Sequence, residues 1–393
     1  MPPKKVAAVV TEYRKTSHAD VILRNILNGY PDGTKPNLEL VAVFTDQVPK
    51  NDISRDLAKK HGFKIYDTIA ETLTLGGKAL AVDGVLSIAE HGKYPTNDKG
   101  QLLYPRRKFF EEICAVFEAT KQSVPVFNDK HLAATWDDAK WMYDRARKLF
   151  VPFLAGSSVP VTWRKPNLVL PKDCEITGAV QLGYGPFEAY GFHALEGLQC
   201  MVERRKGGET GVKAVTCHPT KTMWEPLDKH EWTKPILEAA LKVVPAHAKG
   251  DVRELTAKNA GAGTFEVEYR DGLRAFVVIL NGWMHDGEGS GGGFFFGGQR
   301  KGQEKPDVCQ FYLQEPDPYA HFAALTVAID SLVNTGHAPY PIERTLTTTG
   351  VLDAVMTSKN EKYQRIETPH LEIGYKPTEW GPAKGEIPKV DKK

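Results

Sequence analysis

The sequence has 393 residues, of which 41% are hydrophobic, and chains longer than about 250–300 residues usually divide into more than one domain. Its 51 Lys and Arg residues against 49 Asp and Glu residues give a formal net charge of +2. This balance excludes a protein dedicated to nucleic acid and gives no field that would hold an anionic membrane. No apolar run approaches the ~20 residues that span a bilayer, the start lacks the apolar region of a signal peptide, and the 5 cysteines are widely spaced. We therefore expect a soluble, cytoplasmic protein of two domains with reduced thiols.

The first 160 residues alternate between short apolar segments and longer amphipathic ones, which is typical of strands and helices in a parallel α/β sheet. Strands are predicted at 6–10, 38–44, 64–66, 82–88, 124–127 and 151–155. Helices are predicted between them at 17–27, 53–61, 105–120 and 135–149. Gly62 is expected to end the second helix in a left-handed conformation. The alternation predicts a Rossmann-like, doubly wound parallel sheet of the dinucleotide-binding type.

Residues 161–375 have longer strand-like segments separated by glycine or charged turns. The predicted strands lie at 175–182, 212–217, 264–269 and 275–280, and the predicted helices at 192–204, 234–243, 318–334 and 342–358. This half is expected to be an α+β domain with a mostly antiparallel sheet. The tail, 376–393, is rich in Pro, Gly and Lys, which predicts anything from an extended strap to disorder.

Several separate strings resemble one known family. They are VAVFTD at 41–46, DGVLSIAEH at 83–91, VPVFNDKHLA at 124–133 with a helix after it, and GFHALE at 191–196. Together they are similar to the glucose-fructose oxidoreductase and inositol dehydrogenase (Gfo/Idh/MocA) family. The resemblance implies a dinucleotide-binding domain with NAD or NADP. It further implies an open-faced antiparallel sheet for substrate binding and oligomerisation, and a sugar or polyol as substrate.

The turn between the first strand and helix departs from that family. A dinucleotide site needs G-x-G-x-x-G there, because the turn is tight and the backbone must approach the pyrophosphate closely. Residues 11–16 read TEYRKT, with no glycine, and Glu12 would repel a phosphate. Arg14 and Lys15 can instead contact phosphate through their side chains. The candidate cofactor-binding residues are Thr11, Tyr13, Arg14, Asp46 and His91.

Asp46 and His91 enter that set for different reasons. Asp46 ends the second strand, where an acid would bind a ribose 2′-hydroxyl; alternatively, it is a turn acid that caps the next segment. His91 follows the fourth strand at the end where ligands bind in open α/β sheets. In proteins of the family, the histidine of this turn lies on the nicotinamide side of the crevice.

One literal match to the glycine fingerprint occurs at Gly287–Gly292. The residues that follow, Phe294, Phe295 and Phe296, are of β type, so no helix N-terminus is offered to a phosphate there. The glycine-rich stretch 287–298 is therefore predicted to be a hairpin or a binding loop.

The resemblance implies three catalytic residues. Lys130 matches the lysine of the family's Glu-Lys-Pro motif, although Asp129 and His131 replace its neighbours. His193 matches the catalytic histidine, and an imidazole exchanges protons readily near pH 7. Ala189 stands where the family has an acid before this histidine, so Glu188 or Glu196 would have to orient the ring; Glu196 lies three residues after His193 on the same helix face. The alternative is that these are ordinary strand-end and helix-terminus polar groups.

Substrate-binding candidates come from a long loop and from the second half. Tyr94 and Arg106 belong to the loop after the fourth strand, which is longer than most connections. Trp283 offers a flat face for a sugar ring, and His285 lies beside it. His285 and Glu288, with His193 and Glu196, are also residue types that bind Zn²⁺ or Mn²⁺, so a divalent metal replacing nicotinamide is an alternative.

Three functions follow from these observations. The first is a nicotinamide-dependent oxidoreductase acting on a sugar, a sugar derivative or a cyclitol. The second keeps the fold and the carbohydrate substrate but works without nicotinamide, as a lyase, an epimerase or a glycoside-cleaving enzyme. The third is a noncatalytic sugar or nucleotide sensor. Open sheet edges commonly pair between subunits, so a homo-oligomer is expected.

Overall fold

The computed structural model describes residues 2–285, 293–315 and 317–389. The chain divides into two compact units. The first comprises residues 1–95, 102–157 and 322–342, and the second comprises residues 96–101, 158–321 and 343–393.

The first unit contains a parallel six-stranded sheet, as the alternating pattern predicts. The strand order is β3-β2-β1-β4-β5-β6, and every neighbouring pair is parallel. All five residues from Val6 to Val10 are fully buried, which explains the continuous apolar run of β1. The strands are β1 (Lys4–Val10), β2 (Leu38–Thr45), β3 (Lys64–Tyr66), β4 (Gly84–Ile88), β5 (Val126–Asp129) and β6 (Phe153–Gly156).

Five helices connect these strands. They are α1 (His18–Asn28), α2 (Ser54–His61), α3 (Ile69–Thr74), α4 (Arg106–Thr120) and α5 (Trp136–Lys148). Gly62 ends α2 with a φ of +86°, so the predicted left-handed cap is confirmed. Thr135 caps α5 by accepting a hydrogen bond from the backbone of Asp138, and basic residues fill its last turn. Helix α3 has only 6 residues, too few to show a clear apolar period in the sequence, and was not predicted.

The second unit contains a mixed, mostly antiparallel eight-stranded sheet in the order β14-β9-β10-β11-β8-β12-β13-β7. Only the pair of β8 and β11 is parallel among these described strands. The two edge strands have two residues each, and such short edges offer little backbone for pairing with another subunit; a homo-oligomer stays a prediction. The strands are β7 (Arg164–Lys165), β8 (Ile176–Gly183), β9 (Val212–Pro219), β10 (Gly263–Tyr269), β11 (Arg274–Ile279), β12 (Gly293–Arg300), β13 (Asp307–Tyr312) and β14 (Ile366–Glu367).

Six further helices complete the described chain: α6 (Ala189–Val202), α7 (Glu225–Asp228), α8 (Thr233–Leu241), α9 (Val252–Thr256), α10 (Ala320–Thr335) and α11 (Ile342–Asn360). Within residues 2–285, 293–315 and 317–389, no helix is long and apolar enough to cross a bilayer. Residues 293–298 lie in β12, which pairs antiparallel with both β8 and β13, in agreement with the β-type residues noted there. The fingerprint match at Gly287–Gly292 lies outside the described residues.

The tail forms a strap along the second unit from Lys376 to Lys389. Lys376 donates to the backbone carbonyl of Gly207, and the Ala383 amide donates to the Val161 carbonyl at 2.8 Å. These contacts hold a segment that has no helix or strand of its own among its described residues.

Candidate functional site

A buried ion-pair triad lies where β4 and β5 end. Glu90, two residues beyond β4, pairs with Lys130 Nζ at 3.0 Å and with Arg106 Nη2 at 2.5 Å. Lys130 directly follows β5, Arg106 begins α4, and no member of the triad is more than 7% exposed. Because ligands of open α/β sheets bind at the carboxyl ends of the strands, this triad occupies the edge where a site is expected.

The triad stays fully charged at neutral pH. Burial alone would raise the pKa of Glu90, but Lys130 and Arg106 outweigh it and hold that pKa well below its usual range. Burial likewise opposes the charge on Lys130, and Glu90 raises its pKa instead. A charged ammonium group is thus kept inside the protein beside the strand ends.

Two turns next to the triad have unusual backbone geometry. His91 has a φ of +72° and Lys130 a φ of +62°, although neither is glycine. A left-handed conformation costs such residues roughly 1–2 kcal/mol. Strain of this kind concentrates at functional sites, where it fixes the direction of a side chain. It therefore marks the ends of β4 and β5 as positions where side-chain placement matters.

A histidine–carboxylate pair adjoins the triad. Nδ1 of His18, the first residue of α1, lies 2.7 Å from Oδ2 of Asp129, the last residue of β5. A carboxylate accepts hydrogen bonds, so Nδ1 carries the hydrogen of this bond and Nε2 is the ring nitrogen left for another partner. The ring lies edge-on to His91 at 5.2 Å and to Phe322 at 5.1 Å between centroids. This is the arrangement by which a carboxylate orients a catalytic imidazole.

His91 is neutral at physiological pH. Burial, followed by the nearby charge of His18, lowers its pKa to about 4. In the part of the chain that the structure describes, Nε2 of His91 and Oδ1 of Asp129 are buried without a hydrogen-bond partner. Buried polar atoms are almost always hydrogen-bonded in folded proteins, so these two atoms are available to a ligand.

The turn between β1 and α1 is filled by its own side chains. The Thr11 hydroxyl donates to the Glu90 carbonyl at 2.7 Å, and Tyr13 is 0% exposed. Arg14 Nε pairs with Glu12 Oε1 at 2.5 Å, so its charge is partly neutralised within the turn. Thr11, Tyr13 and Arg14 thus all make contacts within the protein.

Backbone contacts close the same turn against the segment after β2. The Ile53 amide donates to the Tyr13 carbonyl at 2.8 Å, and Arg14 and Asp52 form an antiparallel bridge. In dinucleotide-binding folds, the adenosine half of the cofactor runs between the β1–α1 turn and the end of β2. Here the two segments are joined directly.

The N-terminus of α1 already holds an anion. Asp20, in the first turn, accepts a hydrogen bond from the Thr16 amide at 2.8 Å and one from Arg24 at 2.5 Å. Ser17 caps the helix by accepting from the Asp20 amide. A pyrophosphate would need these backbone donors and would meet the Asp20 and Glu12 carboxylates. The residues of this turn therefore do not fit a nicotinamide dinucleotide in its usual groove.

Asp46 and Tyr94 form a separate pair at the end of β2. The Tyr94 hydroxyl donates to Asp46 Oδ2 at 2.6 Å, and burial together with this bond raises the pKa of Tyr94. A carboxylate oxygen of Asp46 thus accepts a hydrogen bond from the loop after β4. A ribose hydroxyl would bind to an oxygen of the same carboxylate. The loop holding Tyr94 is tied to β2 by the contact.

The remaining candidates lie in the second unit. His193, half-buried on α6, has its ring 5.8 Å from that of Phe294 and 6.1 Å from that of Tyr190. Glu196 is 1% exposed one turn further along. Trp283 belongs to a hydrophobic core cluster and stacks on His247 at 4.3 Å.

His285, the last candidate, is exposed, and Glu288 lies outside the described residues. Among the residues that the structure describes, no group of three or more His, Cys, Asp or Glu side chains could hold a metal ion. The metal alternative therefore gains no support from these ranges.

The structure joins residues that the sequence suggested one by one and adds others. Lys130 and Arg106 were predicted for separate roles, and Glu90 joins them. His18, Glu90 and the pairing role of Asp129 were not predicted. Their positions could have indicated them, because each lies at the carboxyl end of a predicted strand or in the helix that follows it. Ligands of open α/β sheets bind at these strand ends.

No protein-family model matches the chain, and no curated protein matches it. Solved structures match over nearly the whole length. GenD2 from gentamicin A biosynthesis in complex with NAD is 12% identical, with 93% of this chain and 97% of that chain covered and a TM-score of 0.56. The apo scyllo-inositol dehydrogenase from Lactobacillus casei is 12% identical, with coverage of 93% and 98% and a TM-score of 0.55. The myo-inositol 2-dehydrogenase from Lactobacillus plantarum is 12% identical, with coverage of 93% and 99% and a TM-score of 0.55.

These similarities establish the fold that the Gfo/Idh/MocA resemblance implied. The chain combines a Rossmann-like parallel sheet with a mixed, mostly antiparallel sheet, as the inositol and sugar dehydrogenases do. At 12% identity, activity does not follow from fold.

Proposed function

We propose that the chain is an enzyme that acts by proton transfer next to a carbonyl of a sugar, a sugar derivative or an oxidised cyclitol, as a lyase or an epimerase, without a nicotinamide dinucleotide. The observation that carries the proposal is the charged Glu90–Arg106–Lys130 triad beside the His18–Asp129 pair. Both lie at the ligand-binding edge of the sheet, whereas the cofactor groove beside them is closed.

His18 is the proposed base. Asp129 holds Nδ1, so Nε2 takes the proton from the substrate and the carboxylate stabilises the imidazolium that forms. In a lyase reaction the proton leaves a carbon next to a carbonyl, the carbon–carbon double bond forms, and the leaving group departs with the electron pair. In an epimerase reaction His18 takes the proton from one face of the carbon, and an acid on the other side, water or a second side chain, donates a proton to the opposite face. Neither reaction needs an oxidant.

Lys130 and Arg106 supply positive charge where negative charge develops. Removing a proton next to a carbonyl places charge on the carbonyl oxygen, and a preorganised cation stabilises it strongly in a buried site. Glu90 fixes the directions of both cations. His91, neutral and without a partner at Nε2, is placed to bond a substrate hydroxyl.

The proposed carbohydrate class of substrate is inferred from the solved structures that share this fold. Similar structures include two inositol dehydrogenases and GenD2 from gentamicin A biosynthesis. The site agrees with such a ligand, since a ring carrying several hydroxyls can satisfy Asp129 Oδ1 and His91 Nε2 at once. His193 remains a catalytic candidate through the family resemblance.

Solvent deuterium exchange tests the proposal. The full chain is incubated in deuterium oxide with a panel of ketoses, sugar acids and oxidised cyclitols, without added cofactor, and ring protons are followed by NMR. We expect loss of one proton signal, or elimination, in at least one class. His18→Asn and Lys130→Met should each lower the rate about 10²–10⁴-fold.

The matched control is Lys140→Met, which removes an exposed lysine that pairs with Asp144 on α5. It should keep the wild-type rate. Thermal unfolding of each variant separates lost chemistry from lost folding. An exchange rate that is unchanged in folded His18→Asn and Lys130→Met contradicts the assignment.

The second candidate is a nicotinamide-dependent oxidoreductase on the same substrates. The strand order β3-β2-β1-β4-β5-β6 favours it, since this is the order of dinucleotide-binding sheets. Reduction of NAD⁺ or NADP⁺ at 340 nm with the same substrate panel measures it directly. Turnover that requires either cofactor would replace the first proposal.

A further inference from the structure

Three buried arginines surround a small cavity in the second unit. Arg164, Arg204 and Arg344 are 7%, 9% and 5% exposed. All three line one cavity together with Cys200 and Glu203, and the tail segment 380–382 completes its wall. We call this cavity the arginine pocket.

Two of the three charges have partial compensation. Arg344 pairs with Glu203 through Nε at 2.9 Å and Nη2 at 2.5 Å. Arg204 donates to the backbone carbonyls of Leu170 and Thr378. Arg204 Nη2 also lies 3.8 Å from Oε2 of Glu379, whose side chain is 75% exposed. Solvent screens such a pair, so Arg204 gains little from it.

Arg164 is the unusual member. Its Nη atoms contact two carbonyls, Leu168 O at 2.9 Å and Pro160 O at 3.3 Å, and the Cys200 thiol at 3.6 Å. No carboxylate is among these contacts, and its Nε, within the described part of the chain, is buried without a hydrogen bond. Burial raises the pKa of Cys200, so the thiol is neutral and supplies no counter-charge.

A buried charge of this kind is costly. Arginine does not lose its proton in proteins, and an unpaired buried ion costs several kcal/mol. The face of Phe311, 5.2 Å from the guanidinium carbon, offsets part of this. A bound anion would offset the remaining cost of burying this charge. The size of the cavity limits which anion can bind.

We propose that the arginine pocket binds one monatomic anion of the size of chloride. The cavity has a volume of about 10 Å³, which is about what one water molecule requires. A halide can accept the unpaired Nε hydrogen of Arg164 and balances the charge of that guanidinium group. Phosphate and sulfate are too large for this volume.

The anion also fixes the tail. Trp380, Gly381 and Pro382 line the pocket, and Arg204 donates to the Thr378 carbonyl just before them. Neutralising the arginines therefore stabilises the docked strap over the cavity. We therefore expect anion binding to strengthen the docking of the tail, and removal of the anion to weaken it.

Unfolding of the full chain at constant ionic strength tests the proposal. Sodium gluconate, whose anion cannot enter, is replaced stepwise by sodium chloride. We expect the Tm to rise with chloride and to level off, because a single site saturates. Sodium sulfate is excluded from protein surfaces and raises the Tm without levelling off, so it should show no saturable rise. No difference between chloride and gluconate, or a rise with sulfate that saturates as the chloride rise does, would overturn the proposal.

Arg164→Met should fold and lose the chloride response, because it replaces the unpaired charge with an apolar chain of similar length. Arg253→Met, which removes an exposed arginine paired with Asp228, should keep it. Bromide quenching of tryptophan fluorescence is the second measurement. A saturable component is expected in the wild type and should vanish in Trp380→Phe; purely linear quenching in both, or a chloride response retained in Arg164→Met, counts against the site.

Discussion

Glu90 holds two buried cations, with Lys130 at 3.0 Å and Arg106 at 2.5 Å. Its replacement by Gln keeps the shape but leaves both charges without a buried counter-ion. Breaking a buried ion pair in this way typically costs about 3–5 kcal/mol. We expect Glu90→Gln to lower the free energy of unfolding in urea by that amount. Glu118→Gln, which removes the half-exposed partner of Arg145, should cost under about 1 kcal/mol; equal effects of the two would contradict the buried triad.

His91 makes the stability of the first unit depend on pH. Its pKa in the folded chain is about 4, against an ordinary value of 6.5, so the unfolded chain binds more protons at this position between those values. The free energy of unfolding contributed by His91 is therefore full above pH 6.5 and falls as the pH drops toward 4.

The variant that isolates this effect is His91→Asn, because asparagine tolerates the left-handed backbone at a φ of +72°. We expect its free energy of unfolding to fall less than that of the wild type as the pH is lowered through this window. Urea denaturation at several pH values measures the difference. Parallel curves for the two proteins would show that His91 titrates normally.

At the scale of the element, most of the fold was predictable because local patterns carried it. The apolar run of β1, the cap at Thr135 and the glycine at Gly62 each specify an element by themselves. β12 could not be predicted in this way, because its glycines serve contacts made by distant residues. A Cβ on Gly297 would lie 2.8 Å from Ile236 of α8, and that close packing is invisible in a local window.

The same distinction explains the site. His91 was predicted because it follows the carboxyl end of a predicted strand, Lys130 because it matches a family motif, and Arg106 because it belongs to an unusually long loop. Glu90 joins two of them only through folding, since Arg106 and Lys130 lie far from it along the chain. His18 was missed because it begins a helix, where a polar residue is ordinarily a cap. A rule about strand ends predicts the region of a site, whereas the pairing of charges within it depends on tertiary structure.

At the scale of the whole molecule, the chain has the fold of a dehydrogenase, but its β1–α1 turn, which would contact the cofactor, consists of bulky and acidic residues. Strand order alone predicts dinucleotide binding, whereas the Arg14–Asp52 bridge and the Asp20 carboxylate at the start of α1 predict its absence. The two predictions differ in one equilibrium measurement. A ligand that binds with a Kd of about 10 µM would add ~2.7 kcal/mol of stability at 1 mM.

We expect no saturable change in NADH or NADPH fluorescence, and no rise in Tm, when the full chain is titrated with either to millimolar concentration. ADP-ribose, which keeps the pyrophosphate and lacks nicotinamide, should also be silent, because the closed part of the groove is the one that would receive its adenosine and phosphates. Stoichiometric binding of ADP-ribose would mean that the β1–α1 turn opens. Binding of NADH without ADP-ribose binding would place the nicotinamide end alone at the strand edge, beside Lys130 and His91.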